Sequence, residues 1–269
     1  MQRLFLLGWL LALPLIGQTE ILTLEGNFTQ GGLITGHTAP GTRLQLDGQP
    51  VRVSPQGAFV FGFGRDANPQ ARLAITFPDG SQAVRNLEIT PRDYDIQRID
   101  GLPPSQVSPP PEVLERISRE NAQVAKARER EIELSYFLSG FRWPTEGRIS
   151  GVYGSQRILN GQPRQPHYGI DIAAPEGTPV YAPADGVVTL THPDMYFSGG
   201  TLIVDHGHGL SSSFLHLRDI HVQVGQEVKQ GDMIASVGAT GRVTGPHLDW
   251  RMNWFQERID PVLLVPPRQ

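Results

Sequence analysis

The stretch HYGIDIAAPEGTPVYAPADGVV, residues 167–188, sets the character of the C-terminal half of the chain. His167 and Asp171 are four residues apart, a spacing that could place them on one face of a helix. Gly169, the β-branched residues and Pro175 argue against a helix and favour short strands bounded by turns. We therefore expect His167 to lie in a loop and Asp171 to enter a strand.

The sequence downstream continues the pattern of short strands and turns. The runs GTLIVDHG, SSSFLHL and KQGDMIASVG are short β segments bounded by glycine and proline, and no amphipathic helix of useful length follows residue 140. Residues 141–269 are therefore predicted to form one compact, almost all-β domain.

Two of these strands carry histidines. His216 alternates along its strand with Ser212 and Phe214, while His247 and Asp249, in GPHLDW, share a strand face because they are two residues apart. With the pair in the opening stretch, they give three histidines and two carboxylates from three segments. Catalytic zinc is held by imidazole nitrogens and carboxylate oxygens, with one position left open to water. The set can therefore supply a zinc site with separate catalytic imidazoles.

The order of these motifs resembles that of the lysostaphin-type (LytM-like) zinc endopeptidases, which cleave peptidoglycan cross-links. The resemblance covers about residues 141–265 and rests on three pieces: the H-x-x-x-D segment, the strand leading to a catalytic His in TLIVDHGHGLSSSFLHL, and the Gly-rich turn in VGQEVKQGDMIASVGATGRVTGPHL. It implies a Zn2+ cofactor held by His167 and Asp171. It also implies that His216 assists at the scissile peptide and that His247 serves as general base or transition-state stabiliser.

The chain departs from this family at Asp249, where the closing H-x-H motif has the His that is the third zinc ligand. In one interpretation Asp249 replaces that ligand, since carboxylate is a normal zinc ligand and the same-face spacing from His247 is kept. In the other, Asp249 pairs with Arg251 on the same face and the zinc site is broken. We favour the first, which gives a metal site of His167, Asp171 and Asp249.

A second H-x-H, formed by His206 and His208 in VDHGHG, could be mistaken for a ligand pair. The surrounding glycines predict a hairpin turn, so we expect neither residue to bind the metal. The Gly-rich run GATGRVTG has no helix after it and is expected to shape the turn that presents His247, not to cradle a phosphate.

The upstream half has a different organisation. Residues 19–100 are predicted to form a β-sandwich-like accessory domain, with a strong hairpin signal at Asp47-Gly48. Residues 101–140 are predicted to be a Pro-rich connector and a charged helix, which runs from residue 112 to about 137. Either this domain or the helix could hold a protein partner.

The N-terminus, residues 1–18, is typical of a signal peptide, because a basic residue precedes an apolar run too short to span a bilayer. This predicts a periplasmic or secreted protein of the cell envelope. The absence of cysteine suits that location and excludes a thiolate metal site.

The bulk composition limits the functions open to the chain. Its 269 residues include 23 Lys and Arg against 27 Asp and Glu, and the resulting net charge of −4 argues against nucleic acid as the main partner. We expect a mainly β zinc metalloendopeptidase that hydrolyses cross-links between peptidoglycan stem peptides. Two alternatives stay open: a catalytically degenerate, peptidase-like regulator that binds peptidoglycan or activates a wall amidase, and a carbohydrate-binding wall protein.

Overall fold

The computed structural model describes residues 22–100, 110–129 and 132–268. The predicted signal peptide and most of the Pro-rich connector lie outside these described residues. Within them the fold is mainly β, with a single α-helix between an N-terminal and a C-terminal β region, which confirms the predicted fold class. No helix in the described ranges has both the length and the apolar composition needed to cross a membrane.

The N-terminal β region is built from two sheets. Its strands, in chain order, are β1 (Thr23–Gly26), β2 (Leu33–His37), β3 (Arg43–Leu46), β4 (Gln49–Val51), β5 (Ala58–Gly62), β6 (Gln70–Thr76) and β7 (Gln82–Glu88). β2 lies between β1 and β5 in one sheet, and the other sheet has the order β4-β3-β6-β7. Asp47 and Gly48 form the predicted turn between β3 and β4, with φ angles of 48° and 86° that suit a two-residue hairpin loop.

The helix is shorter than the sequence indicated. α1 spans Leu114–Glu129, after a 3-10 turn at Pro111–Val113, and a second 3-10 turn follows at Tyr136–Ser139. Ile132, just before that second turn, is bonded to the C-terminal region, since the His208 N–H donates to its carbonyl at 3.3 Å. Tertiary contacts therefore override the helical preference of this charged stretch.

The C-terminal β region contains one large sheet with short attached strands, and two further strands that pair with each other outside that sheet. Its strands are β9 (Arg148–Gly151), β10 (Gln156–Leu159), β11 (Gln162–Pro163), β12 (Ile170–Ala173), β13 (Pro179–Tyr181), β14 (Gly186–Met195), β15 (Gly199–Gly207), β16 (Leu210–Ile220), β17 (Glu227–Val228), β18 (Met233–Val237), β19 (His247–Trp254) and β20 (Glu257–Ile259). The main order is β17-β14-β15-β16-β19-β12-β9, β13 pairs with β18, β18 joins β16, and β20 joins β19. A 3-10 turn at Pro261–Leu264 follows.

The two faces of this sheet have different chemistry. One face buries large apolar side chains completely, among them Leu202, Phe214 and Trp250, which are neighbours across β15, β16 and β19. The opposite face carries polar side chains, among them Ser213 and Arg251, which are neighbours in the register of β16 and β19. We call it the polar face; it is the one that holds the candidate site.

Helix α1 packs on the polar face. The buried Arg128 donates from Nη2 to Ser213 Oγ at 3.3 Å. About two helical turns upstream, Glu120 Oε2 accepts from the backbone N–H of Tyr196 at 2.8 Å, at the tip of the β14–β15 hairpin. The helix is thus attached to the sheet at both ends.

The two β regions are joined by hydrogen-bonded strands. β8 (Ile96–Ile99) pairs in parallel with β10. The sequence analysis had placed residues 96–99 in the accessory domain. Arg65 Nε donates to the Gly154 carbonyl at 2.8 Å, and Arg92 Nη1 lies 2.8 Å from Asp260 Oδ2. The domain limits that we drew remain a prediction, but the contact between the regions is continuous with their cores.

Candidate metal site and flanking histidines

The sequence-predicted ligands converge at the start of β12 and the middle of β19. Asp171 is the direct cross-strand partner of Asp249, and His167 lies in the loop just before β12, as predicted. His167 Nε2 is 3.1 Å from Asp171 Oδ1 and 3.6 Å from Asp249 Oδ2. The three ligand atoms lie within 4.8 Å of one another, a spread that one metal ion could bridge.

The state of His167 shows that this group fits a metal. Its Nδ1 lies 3.2 Å from the Val152 carbonyl, which can only accept, so Nδ1 carries the proton in that contact. Its Nε2 is buried without a hydrogen bond, although it faces both carboxylates. Such an orphaned nitrogen, held in its tautomer by a carbonyl, is how metal-binding imidazoles are usually supported. Burial would lower the pKa of His167, but the two carboxylates outweigh burial and raise it to about 10.

Asp249 takes part in both interactions that the sequence left as alternatives. Its carboxylate belongs to the ligand cluster, and it also accepts hydrogen bonds from Arg251, which follows two residues later on the same face. Burial would raise the pKa of Asp249, but Arg251 and His167 hold it far below its usual range. The pairing with Arg251 therefore does not exclude Asp249 from the cluster.

A β-bulge brings His216 to the cluster. Strict alternation would point His216 to the same side as Ser212 and Phe214, away from the polar face. However, the register of β15 against β16 shifts between Gly200 and Leu202, and His216 has a φ of 64°. The extra residue turns its side chain over. Its ring centroid lies 4.9 Å from that of His247, the first residue of β19.

Both flanking imidazoles are fixed by backbone carbonyls. His216 Nδ1 lies 2.9 Å from the Thr240 carbonyl and His247 Nδ1 lies 2.8 Å from the Gly245 carbonyl. Because carbonyls only accept, each Nδ1 carries a proton in these contacts and each neutral ring offers Nε2 as a proton acceptor. His247 Nε2 is 3.7 Å from Asp171 Oδ1. Burial lowers the pKa of His216.

Thr240 is a site residue that the sequence analysis missed. Besides its carbonyl, its Oγ1 donates to the Leu217 carbonyl at 2.8 Å and accepts from the Gly200 N–H at 2.9 Å. It therefore pins the Gly-rich turn to the bulge and orients His216 as well as the turn before His247. The only sequence signal was its position within GATGRVTG.

The second H-x-H pair, His206 and His208, lies elsewhere in the fold. His206 is fully buried, with Nδ1 2.7 Å from the Asp185 carbonyl and Nε2 2.6 Å from Ser212 Oγ. His208 packs edge-on against Phe137, with ring centroids 5.1 Å apart. Within the described residues neither histidine belongs to the ligand cluster.

Comparison with known proteins agrees with this geometry. The profile of peptidase family M23 matches residues 165–261, which include the whole cluster and both flanking histidines. A crystal structure from Pseudomonas aeruginosa described as peptidase M23 is 31% identical and superimposes with a TM-score of 0.69, covering 87% of this chain and 93% of that one. The chain belongs to peptidase family M23. This confirms the resemblance to the LytM-like peptidases.

Curated relatives match less than half of this chain. Peptidoglycan DD-endopeptidase ShyA of Vibrio cholerae is 41% identical over 116 residues, which are 41% of this chain and 26% of that protein. Cell division protein DipM of Caulobacter vibrioides is 33% identical over 132 residues, 47% of this chain and 21% of that protein. The chain thus spans about a quarter or less of the length of these relatives.

Proposed function

We propose that the chain is a zinc metalloendopeptidase that hydrolyses peptide cross-links of bacterial peptidoglycan. The observation that carries the proposal is the convergence of three ligand atoms, from His167, Asp171 and Asp249, within 4.8 Å of one another. Beside them lie the imidazoles of His216 and His247, with ring centroids 4.9 Å apart. Membership of family M23 and relatives named peptidoglycan DD-endopeptidase support this reaction and this substrate class. The same relatives support a location in the cell envelope, and we propose the periplasm or the exterior.

In this proposal His167, Asp171 and Asp249 hold the zinc. A bound zinc ion supplies Lewis acidity, which lowers the pKa of water and polarises a peptide carbonyl. The Val152 carbonyl keeps the proton of His167 on Nδ1, 3.2 Å away, and so leaves Nε2 for the metal. Arg251 keeps Asp249 ionised, since it bonds both carboxylate oxygens.

The flanking histidines handle protons at Nε2. We assign His247 as the group that accepts the proton of the attacking water and passes it to the leaving amine. The role implied for His216, a hydrogen bond to the developing oxyanion, requires a proton on its Nε2 as well as on the Nδ1 that faces Thr240. Burial opposes that second proton. A neutral His216, with no proton on Nε2, can instead act as a second proton acceptor next to His247.

The experiment measures zinc content and the conversion of cross-linked to uncross-linked stem peptides in purified peptidoglycan on the same preparation of the chain. We expect about one zinc per chain, as a single three-ligand site implies. We expect His216→Ala and His247→Ala to lose at least about 100-fold in hydrolysis while zinc stays bound, because both act as acid–base groups. His221→Ala, an exposed histidine outside the cluster, is the matched control and should keep full activity.

The outcomes separate the proposal from its alternatives. A well-folded preparation that takes up no zinc and leaves the cross-links intact would favour a metal-free regulator. Loss of zinc in His216→Ala would instead show that His216 is a ligand. A protein partner remains a separate proposal, and the exposed side of α1, which carries the Glu115–Arg119 pair, is the helix surface open to it.

A further inference from the structure

The arrangement around Asp249 points to a role for Arg251 that goes beyond an ion pair. Arg251 Nε donates to Asp249 Oδ1 at 2.9 Å and reaches Oδ2 at 3.1 Å, while Nη2 donates to Oδ2 at 2.5 Å. Asp249 is only 2% exposed. A planar guanidinium that grips both oxygens of a buried carboxylate fixes its plane as well as its charge.

The same carboxylate faces the candidate ligands on its other side. Asp249 Oδ2, which Arg251 binds, is also the oxygen 3.6 Å from His167 Nε2. A carboxylate has room for about four donors or cations over its two oxygens. The two shorter contacts from Arg251, Nε to Oδ1 and Nη2 to Oδ2, therefore leave about one acceptor position on each oxygen of Asp249.

The charges of this group complement one another. In the family's usual site, a neutral imidazole occupies the position of Asp249, and one carboxylate faces the metal. Here two carboxylates, Asp171 and Asp249, face it. A second carboxylate reduces the net positive charge at the metal, and the guanidinium of Arg251 restores it. Residues 249 and 251 together thus carry the same net charge as the imidazole that they replace.

The chain leaves space for this contact at Gly169. A Cβ on Gly169 would lie 2.5 Å from Arg251 Cγ and 2.8 Å from Asp249 Oδ1. Any larger residue would push the arginine stem or the carboxylate out of position. The segment 167–171, which supplies both His167 and Asp171, therefore also admits the Asp249–Arg251 pair.

We propose that Arg251 is a positioning residue that makes Asp249 the third zinc ligand, and that the two residues act as one unit in place of an imidazole. This inference rests on the proposed zinc site. It predicts that Arg251 matters only while residue 249 is an aspartate, a dependence that a merely structural arginine would not show.

The test is a double-mutant cycle on the full chain, with zinc affinity measured by competition with a chelator. We expect Arg251→Gln to weaken zinc binding by about 10- to 100-fold, as loss of an orienting partner usually does. Arg251→Lys keeps the charge but not the fork and should lie between. Asp249→His should bind zinc, and adding Arg251→Gln to it should change the affinity by less than about threefold, because the imidazole does not need the guanidinium.

Two further measurements exclude a general loss of folding. The absorption spectrum of the cobalt-substituted protein reports ligand geometry and should change in Arg251→Gln but not in Arg258→Gln. Arg258 is the matched control, since it lies near Arg251 but hydrogen-bonds Asn253, not Asp249. Thermal unfolding of the metal-free variants shows whether each one folds.

Each outcome decides the matter. An equal loss of affinity for Arg251→Gln in the wild-type and Asp249→His chains, or no loss in either, overturns the positioning role and leaves the proposed hydrolase intact. A wild-type chain that binds no zinc overturns both. An unfolded Arg251→Gln alongside a folded Arg251→Lys shifts the comparison to the lysine variant, for which the same dependence on residue 249 is expected.

Discussion

His206 illustrates how much a single buried imidazole can contribute to stability. It lies inside the sheet, and both ring nitrogens contact neighbours, the Asp185 carbonyl and Ser212 Oγ. Burial lowers its pKa from 6.5 to about 4. The fold therefore requires the neutral ring over most of the physiological range.

We predict a loss of stability in mild acid that depends on His206. The unfolded chain takes up a proton near pH 6.5 and the folded chain only near pH 4, so stability falls as the pH drops through this window. The depressed pKa corresponds to about 3 kcal/mol at most. Urea unfolding between pH 7 and pH 4.5 should show a flatter pH dependence for His206→Gln than for the wild type. The exposed His37→Gln is the control; if it flattens the dependence equally, the assignment to His206 is wrong.

Some site residues could be predicted from the sequence and others could not. His167, Asp171, His247 and Asp249 were placed in one candidate site by the resemblance to the LytM-like family, with the spacing within each segment in support. The orientation of His216 could not be predicted, because a bulge depends on the register against a neighbouring strand. The sequence analysis also treated the two contacts of Asp249, with the metal cluster and with Arg251, as mutually exclusive. One carboxylate can face a metal and a guanidinium at once, and only its three-dimensional surroundings reveal that.

At the scale of single elements, α1 depends on one buried carboxylate. Glu120 is largely buried; its Oε1 accepts from Arg116 at 2.7 Å and its Oε2 from the Tyr196 N–H at 2.8 Å. The second bond satisfies a backbone donor at the tip of the β14–β15 hairpin. Since both strands of the hairpin belong to the large sheet, this contact fixes where the helix lies on the polar face.

We predict that Glu120→Ala destabilises the chain by about 1–3 kcal/mol, because it leaves a sheltered N–H without an acceptor. Glu115→Ala removes an acidic residue from the same helix whose partner, Arg119, is exposed, and should cost no more than about 0.5 kcal/mol. Urea unfolding of the two variants tests this contrast. Equal losses would show that the helix is held by its apolar contacts alone.

The ends of α1 show the limit of sequence periodicity. Its start is set locally by Pro110 and Pro111, which suit the first turn of a helix. Its end is not, since residues rich in helix formers continue to about residue 137. Ile132 and Ser135 instead contact His208, an interaction between residues distant in sequence that no local pattern reports.

At the scale of the whole molecule, the two β regions depend on each other. The C-terminal β region carries Asp260, a buried carboxylate whose ion-pair partner Arg92 lies in the preceding half of the chain. β10 likewise takes its parallel neighbour β8 from that half. The fold class was predictable from the run of short strands and turns, but this sharing was not, because pairing between distant strands leaves no mark in either strand alone.

We predict that a fragment starting at Phe141 still binds zinc, since all proposed ligands follow that residue, but is less stable. It loses β8, the Arg92–Asp260 pair and the Arg65 hydrogen bond to Gly154. Losses of roughly 2 kcal/mol would lower its Tm by about 10 °C relative to the full chain. Calorimetry with zinc titration measures both properties. A folded fragment that has lost zinc binding would mean that the upstream half completes the site.

The left-handed backbone at His216 has a consequence for how this position responds to selection. A side chain with a Cβ pays about 1–2 kcal/mol in that conformation, whereas glycine adopts it freely. In a library randomised at residue 216, sorting for thermal stability alone should therefore enrich glycine and asparagine. Sorting the same library for hydrolysis should return histidine. The residue favoured by folding and the residue favoured by chemistry would then differ at one codon, which would mark His216 as a place where stability is given up for activity.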